Sequence, residues 1–399
     1  MVSMKKPRIF IISEYVKPTE NSTGYYWSKI IHGLSLNFQN IFVICPEPSL
    51  IDTNKDHDQN VKYIYVQKIA HNKNRLFSRL YGQTVQSYLF FYALFRNVGV
   101  GDIIFSGTNP APSLVMISLL KIVRPFSWLL LVHDVFPENL VAAQVVTKNN
   151  IAYSFIKAIY DRVYSAPTIL IAIGRDMKKV LSEKTKSRSE IVYVPNWADA
   201  DDIIPLKNSC VAIEKTGNVI FQFFGNLGRL QDIDNILDAI RITKSKTASY
   251  EFIGDGSEVG TILDFIENNP NIAIAHRPGV PFGSGNAILS ECNVAIVSLA
   301  TGMNGLGVPS KSYFSLAADK PLLVITDQGS ELHQLIEEEN SIGWYCEAAN
   351  PKKLAQLIDE ICSTNLSKLQ GKPRATMLNK YEHMYAIEQY TKLILRLIN

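Results

Sequence analysis

The chain has 399 residues, more than a single hydrophobic core usually accommodates, so we expect two domains. Its composition, 47% hydrophobic and 19% charged, excludes a disordered chain and fits a globular protein. The net charge of +3 is unevenly divided: residues 1–199 carry 23 Lys and Arg against 14 Asp and Glu, whereas residues 200–399 carry 17 against 23.

The basic first half favours an anionic partner, such as an acidic membrane surface or a phosphate-bearing acceptor. Chance, or charge pairing between the two halves, explains the asymmetry about equally well.

Five cysteines are scattered at positions 45, 210, 292, 346 and 362, and none forms a CxxC pair. This indicates neither a disulfide framework nor a zinc site, and it favours a reducing, cytoplasmic compartment. The apolar run Ile9–Ile12 is too short for the core of a signal peptide and predicts a first buried strand. Lys121, Arg124 and Pro125 interrupt the apolar stretch Leu114–Val132, which predicts a buried helix and a strand rather than a transmembrane helix.

Short β-branched or aromatic runs alternate with segments of helical periodicity along the chain. The predicted strands are Arg8–Ser13, Ile41–Cys45, Lys62–Val66, Asp102–Ser106, Trp128–Val132, Thr168–Ile173, Ile191–Val194, Val219–Phe224, Tyr250–Ile253, Ile272–Ala275, Val294–Val297 and Leu322–Ile325. Helices such as Ile233–Thr243 and Lys352–Cys362 lie between them. This alternation predicts βαβ units and parallel sheets covered on both faces.

The alternation begins anew near residue 219, after a polar stretch from Asp199 to Gly217 that is typical of a linker. We therefore predict two Rossmann-like domains in tandem, at 1–198 and 199–380, with the last helix, within 381–399, packing back on the first domain. Ligands of open α/β sheets bind beyond the carboxyl ends of the strands, so we expect the chemistry in the loops that follow them.

The segment GNLGRLQDI, at 225–233, directly follows a predicted strand. Gly225 and Gly228, with Asn226 between them, permit close approach of the backbone to a ligand. Arg229 supplies positive charge, and the next helix offers free N–H groups, both of which suit a diphosphate. A tight turn with a surface arginine is an equally good interpretation, since the segment matches neither GxGxxG nor a P-loop.

The segment FIGDGSE, at 252–258, also lies at a strand end. Gly254 and Gly256 flank Asp255, and such a turn can border a nucleotide. It can equally be a simple turn.

The segment from Gly305 to Thr326 is the most specific of these loops. Pro309 precedes Ser310, which can cap a helix, and Lys311 then lies at the positive end of the helix dipole, a good position for binding an anion. The alternative is an ordinary capped helix with an exposed lysine.

Two further strand ends carry polar residues. Ser330 and Glu331 open a helix, and Glu331 can accept hydrogen bonds from ribose or sugar hydroxyls, although acidic residues favour helix N-termini in any case. In the first domain, His133 and Asp134 face the expected cleft, where either can hold or polarise a sugar hydroxyl. A buried, hydrogen-bonded histidine is the alternative. The segment VPNWAD, at 194–199, is either a hinge or a simple turn.

In this order, these segments resemble the family 4 retaining glycosyltransferases, above all the branch that builds bacterial O-antigen, capsule and colanic-acid-type polysaccharides. HDVFPE resembles the first-domain motif DLWPE or DLFPE, while IAIGRDMKKVL and VPNWAD resemble the segment before the hinge and the hinge turn. GNLGR, FIGDGSE, VPSK with LAADKP, and GSEL resemble the donor-site loops. The resemblance covers nearly the whole chain.

The resemblance implies a GT-B fold, in which two Rossmann-like domains face each other across a cleft. It implies a retaining, metal-independent enzyme without a cofactor, whose nucleotide diphosphate-sugar, most often a UDP-sugar, binds mainly to the second domain. Arg229 and Lys311 would neutralise the diphosphate. The acceptor, a glycan or a polyprenyl-diphosphate-linked sugar at the cytoplasmic membrane face, would bind the first domain near Gly24 and Tyr25. No nucleic acid is implied.

The sequence departs from the family at several positions. Many members carry two glutamates around the third loop, and Leu306 and Phe314 stand in their places. Asp319 stands where glycine is usual. The first-domain loop after Ser13, usually glycine-rich, contains Gly24 alone.

Three other functions stay open at this point. The missing glutamates motivate a catalytically silent GT-B partner or binding subunit. A nucleotide-sugar epimerase or a phosphorylase of the same fold is another alternative. A nicotinamide-dependent dehydrogenase is less favoured, because GxGxxG is absent after the first strand.

Between Lys68 and Arg96, basic residues alternate with aromatic and aliphatic ones. Such a segment can lie in a lipid interface, as a peripheral contact with an anionic membrane. A core helix with a solvated basic face is the competing prediction.

Overall fold

The protein is described by a computed structural model that covers residues 7–16, 21–48, 59–69, 76–205, 217–281 and 284–398. Two parallel sheets form its frame, with strand orders β3-β2-β1-β4-β5-β6-β7 and β10-β9-β8-β11-β12-β13. The strands are β1 Ile9–Ile12, β2 Ile41–Pro46, β3 Val61–Val66, β4 Ile103–Gly107, β5 Ser127–Val132, β6 Ile169–Ala172, β7 Glu190–Tyr193, β8 Val219–Phe224, β9 Ala248–Ile253, β10 Ile274–Arg277, β11 Val294–Ser298, β12 Leu322–Thr326 and β13 Gly343–Glu347.

Helices cover both faces of each sheet. They are α1 Ser22–Ser35, α2 Leu76–Asn97, α3 Ala111–Val123, α4 Glu138–Ala142, α5 Ile151–Tyr164, α6 Arg175–Thr185, α7 Ile233–Ile242, α8 Val259–Asn268, α9 Gly285–Ser290, α10 Lys311–Ala317, α11 Glu331–Glu338, α12 Pro351–Cys362, α13 Lys372–Lys380 and α14 His383–Ile398.

The central strands are largely apolar and buried, as parallel strands between two helical layers must be. In the first domain, α3 packs against both α2 and α5, while α1 packs against α14. Right-handed crossovers put α2, α3 and α5 on one face of the first sheet and α1 on the other.

The last helix lies on the first domain. Gly33 of α1 provides the room, because a Cβ at this position would lie 2.5 Å from Cγ2 of Ile387. The rings of Tyr390 and Phe105 are 5.6 Å apart. The chain crosses between the domains next to this helix, where Ala198 N–H donates to the carbonyl of Tyr381 at 3.0 Å. The predicted boundary at residue 198 stays a prediction, and residues 206–216 of the predicted linker lie outside the described residues.

Asp319, which the resemblance aligns with a glycine, lies in the left-handed region with φ of 57°. Its carboxylate accepts hydrogen bonds from the N–H groups of Gly371, at 2.8 Å, and Arg374, at 3.3 Å, at the start of α13. An aspartate tolerates this conformation better than most residues, and here its side chain gains two hydrogen bonds from it.

Candidate active site

A cavity of about 940 Å³ lies between the two domains. Its walls include Asn21, Ser22, Tyr25 and Asp134 from the first domain, Asp202 from the segment just after residue 198, and the loops after β8, β9 and β11 from the second domain. The carboxyl ends of strands from both sheets therefore border one space, which is the position where open α/β sheets bind ligands.

Two glycine loops of the second domain pack backbone against backbone beside this cavity. A Cβ at Gly254 would lie 1.9 Å from the carbonyl oxygen of Gly225, and one at Gly256 would lie 2.0 Å from that of Leu227. Gly225 and Gly254 also have positive φ angles, of 130° and 143°. The predicted motifs GNLGR and FIGDGSE are thus one unit, in which each loop needs glycine because of the other.

Of the residues in these two loops, Gly225, Asn226, Gly254 and Asp255 line the cavity. Gly228, Arg229 and Gly256 are outside its described lining. Arg229 begins a short 3-10 helix, Arg229–Gln231, and is exposed. Of the two cations predicted to neutralise a diphosphate, Lys311 alone is a lining residue.

Lys311 brings an unpaired amine to the cavity. Its Nζ is buried, and none of the described residues accepts a hydrogen bond from it. It lies 3.3 Å from the centroid of the Phe223 ring, close to Gly225. Burial lowers the pKa of Lys311 well below its usual value. A buried amine without an anionic partner costs free energy, and an anion bound in the cavity would remove that cost.

Pro309 and Ser310 line the cavity directly before Lys311. The prediction that the Ser310 side chain caps this helix is wrong. Ser310 occupies the N-cap position, but its backbone is already helical, at φ −63° and ψ −26°, and its side chain makes no capping hydrogen bond.

His133 and Asp134 follow β5 on the first-domain side. Asp134 lines the cavity and pairs as an isolated antiparallel bridge with Gly307 of the second domain. His133 is outside the described lining, and its Nε2 is buried without a hydrogen-bond partner among the described residues. Burial lowers the pKa of His133 to about 4, so its imidazole is neutral at physiological pH.

Tyr25 lines the cavity, and its ring makes an edge contact with Phe314, at 5.7 Å between centroids. Tyr26 stacks on Phe314 and contacts Trp197 of the hinge turn, at 4.5 Å. Gly24, by contrast, takes part in the N-cap of α1, because its N–H donates to Oδ1 of Asn21. The rings of Tyr25, Tyr26, Trp197 and Phe314 therefore form one aromatic cluster beside the cavity.

Ser330 and Glu331, which the sequence predicts as donor contacts, are outside the described lining of the cavity. Ser330 is the N-cap of α11, where its Oγ accepts a hydrogen bond from the N–H of His333. Glu331 is buried and contacts the first domain: it accepts hydrogen bonds from the N–H of Arg175 at 2.6 Å and from the hydroxyl of Tyr193 at 2.7 Å. The geometry gives Glu331 a position at the domain interface, and its contact with the donor stays a prediction.

Several residues of this region carry no recognisable signal in the sequence. Asp176 is buried, and its Oδ2 accepts hydrogen bonds from the N–H groups of Gly305, at 2.9 Å, and Glu331, at 3.1 Å, in the second domain. Asn21 and Ser22 line the cavity, and only the helix-cap pattern Asn-Ser-Thr-Gly marks them in the sequence.

One group of described residues has the spacing of a metal site. Ligand atoms of Asp199, Glu382 and His383 come within 4.8 Å of one another. Lys29 donates to Asp199 at 2.5 Å, so one carboxylate of this cluster is already paired with an ammonium group. The three residues are outside the described lining of the cavity.

A curated relative identifies the family. WbjE of Pseudomonas aeruginosa, described as a probable glycosyltransferase, is 40% identical over 401 residues, which cover 98% of each chain. The chain belongs to the glycosyltransferases. No family model matches it.

Solved structures agree with this family in fold. Sucrose-phosphate synthase from Thermosynechococcus elongatus superimposes on the glycosyltransferase with a TM-score of 0.78 at 13% identity, covering 98% of this chain and 99% of that one. HepE from Anabaena gives 0.70 at 12%, covering 98% and 100%. WaaG, a glycosyltransferase involved in lipopolysaccharide biosynthesis, gives 0.68 at 10%, covering 97% and 99%. The predicted GT-B architecture, two Rossmann-like domains around a cleft, is confirmed.

Within the described parts of the glycosyltransferase, no helix has the length and apolar character to cross a membrane.

Proposed function

We propose that this glycosyltransferase is a retaining, metal-independent enzyme. It transfers a sugar from a nucleotide diphosphate-sugar, of which a UDP-sugar is the favoured candidate, to a glycan or a polyprenyl-diphosphate-linked acceptor. It would work in bacterial surface polysaccharide synthesis, on the cytoplasmic side of the membrane. The donor is a substrate, and the proposal includes no cofactor and no nucleic acid.

The single observation that carries this proposal is the side-chain amine of Lys311. It is buried beside a cavity that both domains line, and no described residue pairs with it. A diphosphate supplies the missing partner, and the desolvated site strengthens the attraction between them. One fixed cation beside the β-phosphate can stabilise the leaving nucleotide diphosphate, which is the task that a divalent metal has in other transferases.

The glycine unit supports the same location for the diphosphate. Gly225 and Gly254 carry no side chains, and their loops lie in backbone contact. A ligand can therefore approach the backbone directly at this point. HepE of Anabaena was solved with UDP and with UDP-glucose. A UDP-sugar is therefore the donor to test first.

The transferred sugar would lie between this unit and the first domain. Asp134, at the carboxyl end of β5, is placed to accept a hydrogen bond from a sugar hydroxyl. His133, neutral and with an unpaired Nε2, can donate or accept one after a small rearrangement. Tyr25 lines the same cavity, and an acceptor sugar can pack on its ring. The retaining outcome rests on the resemblance of the motifs.

The test is a calorimetric titration with UDP, and with a panel of UDP-sugars, in a metal-chelating buffer. We expect binding by the wild type and a loss of about 100-fold or more in affinity for Lys311→Met, which removes a charge-assisted contact of about 3 kcal/mol. Lys352→Met, an exposed lysine at the start of α12, is the matched control and should bind as the wild type.

Turnover separates the proposal from the silent-partner alternative. Leu306 and Phe314, which the resemblance aligns with the two family glutamates, are both apolar, and Phe314 lines the cavity; this observation favours a silent subunit. Release of UDP from the preferred donor, in the presence of lipid extract as the acceptor source, supports the enzyme. Tight binding without release in any mixture would favour the silent subunit, and release without any acceptor would indicate donor hydrolysis or epimerase-type cleavage instead.

A further inference from the structure

Gln222 brings an unpaired amide oxygen to the wall of the cavity. The residue lies in the middle of β8, is 2% exposed and is one of those that line the cavity. Its neighbours Phe221 and Phe223 belong to the core of the second domain, on the other face of the strand, because successive side chains of a strand alternate. A glutamine in the middle of a buried strand is uncommon, and it costs free energy unless its polar atoms are hydrogen-bonded.

The partners of Gln222 fix the orientation of its amide. Its Nε2 donates to Oε2 of Glu251 at 2.9 Å and to the carbonyl of Ile288 at 3.1 Å. Both partners are acceptors, since the Glu251 carboxylate is also paired with Arg277 at 2.7 Å, so the NH₂ group must lie on their side. The remaining atom, Oε1, is buried without a hydrogen-bond partner among the described residues.

A packing role does not account for this glutamine. Glu251 keeps an ionic partner in Arg277 without it, and a leucine would fill a similar volume without an unpaired oxygen. A buried acceptor of this kind requires an N–H or O–H group to offset the loss of its hydration. Because the oxygen belongs to a residue that lines the cavity, a ligand in the cavity can supply that group.

The part of the cavity next to Gln222 suits a flat ring. Phe224 lies two residues further along β8, on the same face, and its ring also lines the cavity. Gly285 of α9 lies against this ring, since a Cβ there would be 3.5 Å from Cε1 of Phe224. On the neighbouring strand β11, the residue paired with Gln222 is Ala295, a small lining residue. An aromatic ring between small residues offers a stacking surface to a planar heterocycle.

This slot lies at a suitable distance from the expected position of the diphosphate. Gly225, which is close to the amine of Lys311, comes three residues after Gln222. A strand rises about 3.3 Å per residue, so the two positions are about 10 Å apart along β8. A ribose and a base together can bridge such a span, and they would pass Phe224 on the way.

Asn286 adds a second amide to the slot. It lines the cavity from α9, its Oδ1 is buried without a partner among the described residues, and no described hydrogen bond fixes its orientation. Unlike Gln222, it can therefore present either its NH₂ group or its oxygen. The imide edge of uracil has one N–H between two carbonyl groups. Cytosine has a bare nitrogen in place of that N–H, so it would meet Oε1 of Gln222 as acceptor against acceptor.

We propose that Gln222 selects the nucleobase of the donor, because its Oε1 accepts a hydrogen bond from the imide N–H of uracil. The base stacks on Phe224, and Asn286 donates to one of the two carbonyl groups. This inference rests on the proposed function, which assigns a nucleotide to the cavity, and it adds which atom of the protein distinguishes one base from another.

The experiment is a calorimetric titration of the full chain with UDP, CDP and UDP methylated at N3. We expect the wild type to bind CDP and N3-methyl-UDP about 30-fold or more weakly than UDP, because both lack the N–H that pairs with Oε1. In Gln222→Leu, the affinity for UDP should fall about tenfold and that for CDP should stay unchanged, so the preference for UDP shrinks to about threefold. The comparison of ligands on the wild type needs no variant.

Gln356→Leu, at an exposed position of α12, is the matched control and should keep the wild-type preference. Gln222→Leu should melt at the temperature of the wild type or above it, because an unpaired buried acceptor is removed. A lower melting temperature together with an unchanged preference for UDP would make Gln222 a structural residue and overturn the proposal. So would N3-methyl-UDP that binds as tightly as UDP.

The same titrations separate this inference from the proposed function. UDP binding that Lys311→Met abolishes but Gln222→Leu leaves unchanged would overturn the assignment of Gln222 alone. No binding of UDP to the wild type would overturn both.

Discussion

Arg175 and Glu331 join the two domains through one carboxylate. The N–H of Arg175 donates to Oε2 of Glu331 at 2.6 Å, and its guanidinium Nε lies 3.1 Å from the same oxygen. The Glu331 side chain is 2% exposed and that of Arg175 is 29% exposed. Water therefore reaches the guanidinium but not the carboxylate. It belongs to α6 and α11, which begin on opposite sides of the cleft.

The substitution Glu331→Gln tests this interface. The amide keeps the shape of the side chain but leaves the guanidinium without its buried counter-charge, so we expect a loss of about 2 kcal/mol in the free energy of unfolding. Urea unfolding followed by circular dichroism measures it. Glu338→Gln is the control, because Glu338 pairs with the same arginine but its side chain is 45% exposed, and such a pair contributes less than about 1 kcal/mol.

The same variant also decides between two interpretations of Glu331. If it lowers stability and leaves the affinity for UDP unchanged, the residue acts at the domain interface. If UDP affinity falls while stability does not, Glu331 contacts the donor, as the sequence predicts, and the domains must move to allow it.

The strands differ in how well their bounds follow from the sequence. Strands with continuous apolar runs, such as Leu129 to Val132 in β5, have nearly the bounds that the sequence predicts. The edge strand β13, Gly343–Glu347, was not predicted, and the other edge strand of that sheet, β10, begins two residues later than predicted. Both are half exposed and mix polar with apolar residues, so the hydrophobic pattern that identifies a buried strand is absent from them.

The candidate site likewise has parts that the sequence predicts and parts that it does not. The loops that border the cavity were predictable, because the carboxyl ends of parallel strands meet at one edge. Which side chain of a loop enters the cavity was not. Glu331 and Asp176 are 155 positions apart and meet only because the domains close on each other. The aromatic contact of Phe314 with Tyr25 likewise depends on a long-range approach that no local pattern records.

The lowered pKa of Lys311 predicts that donor binding takes up a proton. Above the second pKa of the terminal phosphate, about 6, UDP itself no longer changes charge, while a bound diphosphate raises the pKa of the amine. At pH values between the pKa of Lys311 in the free protein and its pKa in the complex, the affinity for UDP therefore falls as the pH rises. Calorimetry in two buffers of different ionisation enthalpy measures the uptake, and Lys311→Met should show none.

Lys311→Met should also make the protein more stable. In the wild type the folded-state pKa lies below the unfolded value of about 10.4, so the unfolded chain binds more protons in this window and stability rises with pH across it. The methionine variant lacks this slope and the cost of the unpaired amine. Urea unfolding at several pH values tests both points, with Lys352→Met as the reference. A variant less stable than the wild type would mean that Lys311 has a partner in the folded protein.

His133 should make folding sensitive to acid. Its pKa of about 4 in the folded protein lies below the unfolded value of about 6.5, so the unfolded chain binds more protons between these values. Stability is therefore lost as the pH falls through this window, by at most about 3 kcal/mol. His133→Gln should remove that part of the slope, whereas His32→Gln, at an exposed position of α1, should keep it. If both variants keep the wild-type slope, the imidazole of His133 is not held neutral by burial.

Gly254→Ala tests whether the two glycine loops form one unit. The new Cβ would lie 1.9 Å from the carbonyl oxygen of Gly225, and the backbone φ of 143° is one that side chains rarely adopt. The loops must separate, so we expect a loss of about 3 kcal/mol in the free energy of unfolding together with a fall in UDP affinity. Urea unfolding and calorimetric titration measure the two effects.

Gly260→Ala is the matched control for this substitution. Gly260 lies in α8, six residues further along the chain, and a Cβ there would meet nothing within 4 Å. Alanine is the better helix former, so this variant should be as stable as the wild type or up to about 1 kcal/mol more stable, with unchanged UDP affinity. If Gly254→Ala loses stability and still binds UDP normally, the loops are a structural unit and the diphosphate binds elsewhere along the cavity.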